Sequence, residues 1–353
     1  MAGRVSCERT RSVRRRADGQ LVTRNDDASA EELGLPFLPA SLSNSSHIAQ
    51  GVNFAVNGAT AIDVGFFERN RLVQFKLLNN SLDVQLGWFE KLRPSLCNTN
   101  KGSPGCFSRS LFVVGEFGVN DYNFMWTANK SQHEVRSHVP KVVKTIASAV
   151  ERLIGDGAAH IVVPGNPPTG CLPAILTLRQ SPAAADYDRA GCLRGVNDVA
   201  RHHNALLRAA VGGLRLRHPH ARIVFADFYR PVYRILENPG RFGEQLALHC
   251  IYSSMLFSAI SIDVELPETI LRCTSAGFVV GDVLKACCGA GGGAYNWNGS
   301  AVCGMPGVAA CGDPAAHVSW DGAHFTEAVS RYVAKGWLHG PYADPPILSA
   351  VPR

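Results

Sequence analysis

The sequence predicts an α/β protein built on a mostly parallel sheet with helices over both faces. Three short apolar runs carry that expectation, each dense in Val, Ile or Phe and each followed by Gly, Asn or Asp. A long helical pattern lies in each interval between them. Strand–helix alternation of this kind implies parallel strands joined by crossover helices.

The first run is Ser110-Leu111-Phe112-Val113-Val114-Gly115, and Gly118-Val119-Asn120-Asp121 follows it directly. Functional residues of such sheets sit past the carboxyl ends of the strands, which marks that tetrapeptide. Over residues 139–154, Val142, Val143, Ile146, Val150, Leu153 and Ile154 recur at helical spacing. The second run, His160-Ile161-Val162-Val163-Pro164, leads into Gly165-Asn166-Pro167-Pro168-Thr169-Gly170-Cys171. Residues 197–217 form the second helical pattern, with Leu206, Leu207, Ala210 and Leu214 on one face. The third run is Arg222-Ile223-Val224-Phe225-Ala226.

The chain has 353 residues, 46% hydrophobic and 18% charged, enough for a sizeable core. Its net charge of +6 owes much to Arg4, Arg9, Arg11, Arg14, Arg15, Arg16 and Arg24. No aromatic residues interleave with these arginines and no amphipathic period is visible, so residues 1–29 read as a disordered leader rather than a nucleic-acid arm. Residues 244–278 read as an insertion whose apolar part is shorter than the about 20 residues of a membrane span. Residues 30–346 are expected to form a single domain interrupted by that insertion, and 347–353 a tail.

Among 11 cysteines no C-x2-C zinc spacing occurs, and Cys287-Cys288 is vicinal. Cys97 and Cys106 bracket a short loop suited to a disulfide. Setting aside Cys7, Cys250 and Cys273 leaves eight, an even number expected to pair. Sequons at Asn44, Asn79, Asn129 and Asn298 agree with an oxidising, secretory route, yet no apolar signal segment follows Met1, which suggests a missing N-terminus.

Four blocks stand in order: Gly51-Val52-Asn53-Phe54-Ala55-Val56-Asn57-Gly58-Ala59-Thr60, then Gly118-Val119-Asn120-Asp121, then the Gly165–Cys171 loop, then Asp321-Gly322-Ala323-His324. An acid three residues before a His suits a tautomer-fixing pair, and a Gly-rich loop can turn backbone N–H groups toward a ligand. In that order, from Ala30 to Phe242 and from Asp282 to Pro346, the chain resembles the plant GDSL-motif esterase/lipase family of the SGNH hydrolase superfamily.

The resemblance implies a flavodoxin-like three-layer α/β/α fold and serine hydrolysis of acyl or acetyl esters. It implies Asp321 and His324 as catalytic acid and base, and Gly58 and Asn120 as oxyanion-hole donors. The partner it implies is a small-molecule, lipid or polysaccharide ester, handled by a secreted monomer with no nucleic acid, transmembrane segment, metal or organic cofactor.

One family block is absent. No Gly-Asp-Ser and no Gly-x-Ser-x-Gly occurs in the chain. Ser319 lies near Asp321, but nothing in the sequence marks it as activated. The nucleophile is therefore unassigned, the fold is expected to lack its first strand, and this chain is expected to be inactive. A non-catalytic binder of acylated glycan or lipid, or a truncated unstable product, is the alternative. An absent first exon and a retained intron would account for both the missing block and the 244–278 stretch.

Overall fold

The computed structural model describes residues 38–43, 48, 51–97, 105–240, 242 and 282–350. The leader expected over 1–29 and the insertion expected over 244–278 lie outside the described residues. In chain order the principal elements are α1 (Val64–Arg69), α2 (Leu82–Cys97), β1 (Leu111–Val113), α3 (Val119–Thr127), α4 (Gln132–Gly155), β2 (His160–Pro164), α5 (Pro173–Leu178), α6 (Arg194–Arg217), β3 (Arg222–Ala226), α7 (Tyr229–Glu237), β4 (Cys288–Gly289), β5 (Ala309–Ala310), α8 (Glu327–His339), β6 (Ala343–Asp344) and α9 (Ile347–Ala350).

Two compact units form. Their described residues fall, for the first, within Met1–Gly170, Leu193–Pro231 and Ser330–Arg353, and for the second within Cys171–Cys192 and Val232–Val329. The first holds the sheet, in the order β1-β2-β3-β6. β1, β2 and β3 are parallel, with Phe112 opposite Ile161 and Val162 opposite Val224, while β6 runs antiparallel to β3. Successive side chains of a strand point to opposite faces. Every residue of β2 is buried, so both faces of the sheet are covered there, as a three-layer α/β/α fold requires. β1 differs: Val113 is 41% exposed, and among the described residues no strand pairs its outer edge. Phe54, Phe89, Phe107 and Phe112 pack as an aromatic cluster around it.

The runs expected at 160–164 and 222–226 form β2 and β3 at those limits. β1 is shorter than its run because the chain turns at Gly115, whose φ is +123°. α4 begins seven residues before the expected 139. Ser131 caps it by accepting the Glu134 N–H, and Pro140 is carried inside, where it removes a single backbone donor. α4 buries Val135, Val139, Val142 and Val150, each contributing about 1.5–3 kcal/mol.

α4 and α6 are both 24-residue helices and they lie side by side. Near their starts Arg136 Nη1 reaches the Asp198 carbonyl at 3.5 Å, and at their ends Arg217 pairs with Glu151 at 2.8 Å. The two helices therefore run in the same direction. Each is followed after four residues by a strand, β2 or β3, so their first turns lie toward the carboxyl ends of the strands. Residues 347–350 of the expected tail instead form α9, which packs on β3 with Ile347 and Ala350 buried. The Ala350 carbonyl lies 3.1 Å from His160 Nδ1.

All eight cysteines expected to pair do so, as Cys97–Cys106, Cys171–Cys192, Cys287–Cys311 and Cys288–Cys303. Cys7, Cys250 and Cys273 lie outside the described residues.

Candidate active site

In the first unit, α3 starts at the G-x-N-D tetrapeptide, just past the end of β1. Gly118 sits at φ +108°, and a Cβ there would lie 2.9 Å from both Asn166 Nδ2 and His203 Cε1. Only glycine fits that close approach. Asn120 Nδ2 donates to the Ala59 carbonyl at 2.8 Å, which holds its amide against the Gly58–Ala59 turn. An amide nitrogen carries two hydrogens, so one remains for a ligand. The Gly58 N–H makes no hydrogen bond among the described residues. Gly58 and Asn120 are thus brought together.

Asp121 makes the anchor beneath them. Its carboxylate is fully buried and accepts the N–H groups of Ala61, at 2.8 Å, and Ile62, at 3.0 Å. Burial raises its pKa to about 6, and the two backbone hydrogen bonds oppose that rise. Asn120 and Asp121 therefore fix one loop from adjacent positions. Asp121 is the last letter of the motif that marks Asn120, but its partners lie 59 and 60 residues away, beyond the reach of any sequence spacing.

Behind the tetrapeptide, Tyr122 hydroxyl and His203 Nδ1 lie 2.7 Å apart. His203 is fully buried, and desolvation lowers its pKa to about 3, so it is neutral. Asn204 grips the Asn166 peptide at both ends, accepting its N–H at 2.7 Å and donating to its carbonyl at 2.8 Å. No spacing in the sequence singled out His203 or Asn204, because their partners are 81 and 38 residues away.

In the second unit, Asp321 and His324 share one tight turn. Asp321 Oδ2 meets His324 Nδ1 at 2.7 Å, and Asp321 Oδ1 accepts the N–H groups of Ala323, at 3.0 Å, and His324, at 2.8 Å. Burial works to raise the Asp321 pKa, but the bonds and charge from His324 and the two N–H groups prevail and lower it. The acid is therefore ionised at neutral pH. Its partner ring is 40% exposed at the side chain, which leaves it open to solutes. With Nδ1–H given to the acid, the basic lone pair of the ring lies on Nε2.

Ser319 lies beneath this turn, 2% exposed. Its Oγ accepts the Gly322 N–H at 3.1 Å and donates to the His324 carbonyl at 3.3 Å. That is a bracing role. Gly322 has φ +94°, and a Cβ there would fall 2.2 Å from Trp297 Cδ1, so the indole closes one side of the turn. One group of potential metal ligands converges among the described residues, Cys287, Cys311 and His317, but its two sulfurs are joined to each other and are not thiolate donors.

The GDSL-like lipase/acylhydrolase family pattern matches residues 9–337. The chain belongs to that family. The matched range begins inside the 1–29 segment. A GDSL esterase/lipase of Arabidopsis thaliana is 36% identical over 341 residues, 95% of this chain and 82% of the relative. The sinapine esterase of Brassica napus is 36% identical over 334 residues, 94% of this chain and 76% of the relative. At family level this GDSL chain is a carboxylic ester hydrolase. No helix among the described residues of the GDSL chain is long and apolar enough to cross a membrane.

Proposed function

We propose that Asp321 and His324 are the acid and base of ester hydrolysis, and that Gly58 and Asn120 bind the oxyanion. The observation that carries this reading is the 2.7 Å contact of Asp321 Oδ2 with His324 Nδ1. His324 Nε2 takes the proton of an attacking serine hydroxyl and returns it to the leaving alkoxide, while Asp321 stabilises the imidazolium. The tetrahedral intermediate places negative charge on the former carbonyl oxygen. The Gly58 N–H and the second Asn120 Nδ2 hydrogen suit that charge, and one such donor is worth about 2.7–4 kcal/mol. Substrates are acyl or acetyl esters of lipids or cell-wall glycans.

The chain holds no Gly-Asp-Ser, and Ser319, two residues before Asp321, is spent on bracing the turn. This chain is therefore inactive as given. Purified protein is expected to release no p-nitrophenol from p-nitrophenyl acetate above the buffer rate. Turnover abolished by His324→Ala overturns the inactivity and keeps the acid–base assignment; turnover unchanged in His324→Ala overturns the assignment itself.

A second reading, a non-catalytic binder of acylated glycan or lipid, draws on the firm anchoring of Gly58 and Asn120 in a chain without that serine block. Heat on titration with acetylated xylan oligomers supports it, and none across a panel removes it. Four disulfides and the exposed sequon residues Asn79, Asn129 and Asn298 suit a secretory protein. A mass loss on glycosidase treatment of protein made in plant cells tests that route.

A further inference from the structure

An open surface depression of about 510 Å³ lies beside the first turns of α4 and α6, lined by Gln132, Arg136, Asp198, Arg201 and His202, all exposed or half-buried. Small-molecule sites span about 300–1,000 Å³. It belongs to the first unit and lies toward the carboxyl edge of the sheet, the edge from which Asn120 projects. His203, next to His202, leaves no room for a Cβ on Gly118 and lies 2.7 Å from the Tyr122 hydroxyl, just past the tetrapeptide.

We propose that this depression binds a carboxylate-bearing sugar, a hexuronate unit of an acidic glycan.

The lining decides the class. All five side chains are polar, so an acyl chain finds no wall to bury against. Two guanidinium groups face one carboxylate, which leaves one positive charge for a monoanion. Guanidinium forks match carboxylates in geometry. Arg201 is held ready: its Nη2 pairs with Asp198, and its Nη1 donates to the Tyr229 hydroxyl at 2.8 Å with the guanidinium over that ring. Asp198 and the Gln132 amide offer acceptors for sugar hydroxyls, a feature that a bare anion would not use. The Asp198 carboxylate also disfavours a dianion such as phosphate. Burial first, then the Arg136 charge, lower the His202 pKa, so His202 is neutral and offers one donor and one acceptor.

This extends the ester-hydrolase reading toward a substrate class, and it rests on that reading only for calling the sugar a substrate. Binding is therefore measured without turnover. The full chain is titrated by calorimetry with digalacturonate, acetate, xylobiose and inorganic phosphate. Saturable binding of digalacturonate, weakened about 10- to 100-fold in Arg136→Gln and less in Arg136→Lys, is expected, since a charge-assisted hydrogen bond contributes about 1.5–3 kcal/mol. Arg136 is exposed, so its replacement leaves the fold intact, which an unchanged thermal melt verifies. Gln132→Ala is expected to reduce the preference for the uronate over acetate. Absent binding, equal binding of xylobiose, phosphate binding as tight as the uronate, or an unaffected Arg136→Gln each overturns the proposal.

Discussion

The Asp121 carboxylate accepts the Ile62 N–H at 3.0 Å from a position wholly withdrawn from solvent. Its folded pKa, about 6, stands above the ordinary 3.8. For an acid so raised, the contribution to stability is full below the unfolded pKa and is lost as pH rises through the folded one. The difference between those two values corresponds to about 3 kcal/mol lost between pH 4 and 6.5.

His203 has the opposite sign. A buried neutral His with a folded pKa of about 3 stabilises above the ordinary 6.5 and loses that contribution as pH falls. By pH 4 the loss is about 3 kcal/mol. The two slopes offset each other between pH 4 and 6. Urea unfolding is expected to show a nearly flat profile there for the unaltered chain, a stability that falls toward acid in Asp121→Asn, and one that rises toward acid in His203→Gln. Parallel profiles in all three proteins would refute the assignment.

Gly322→Ala is expected to cost about 2 kcal/mol or more. The left-handed φ alone costs about 1–3 kcal/mol, and the new methyl group meets Trp297. The melting temperature should drop, and the downfield proton of the His324–Asp321 bond should vanish from the NMR spectrum.

Cys303→Ser opens the 15-residue separation closed by Cys288–Cys303. Loop closure of that size is worth about 3 kcal/mol. Denaturant unfolding of Cys288→Ser/Cys303→Ser measures it. A loss below 1 kcal/mol would mean the loop is already ordered without its bond.

Asn120→Asp keeps the shape but replaces the donor to the Ala59 carbonyl with an acceptor. Carbonyl and carboxylate then face each other, which costs about 1–3 kcal/mol. Asn120→Ala, which leaves the Ala59 carbonyl unpaired but sets no carboxylate against it, should be the milder change in a thermal melt.

Much of the fold was legible because β2 and β3 are buried on both sides, or nearly so, and buried parallel strands write themselves as unbroken apolar runs. The start of α4 was hidden by Pro140, which ordinarily ends a helix from its interior but here lies nine residues in. β6 is only Ala343–Asp344, too short to show any period. In the candidate site, Asp321 and His324 were legible because their contact is local, three residues apart. Asp121, His203 and Asn204 act across 38 to 81 residues, and only folding brings such partners into reach.

The vicinal cysteines carry one more consequence. The N–H of Cys287 bonds to the Ser319 carbonyl at 2.9 Å and that of Cys288 to the Trp320 carbonyl at 2.6 Å, while their sulfurs lead to Cys311 and Cys303. The segment running into Asp321 thus hangs from two cross-links on successive residues. Synthesis in a reducing cytosol would leave both cross-links open, so the schedule of thiol oxidation during biogenesis sets when the backbone pairing that carries Ser319 and Trp320 gains its covalent ties. Recombinant preparations should be judged by their thiol count before any assay is believed.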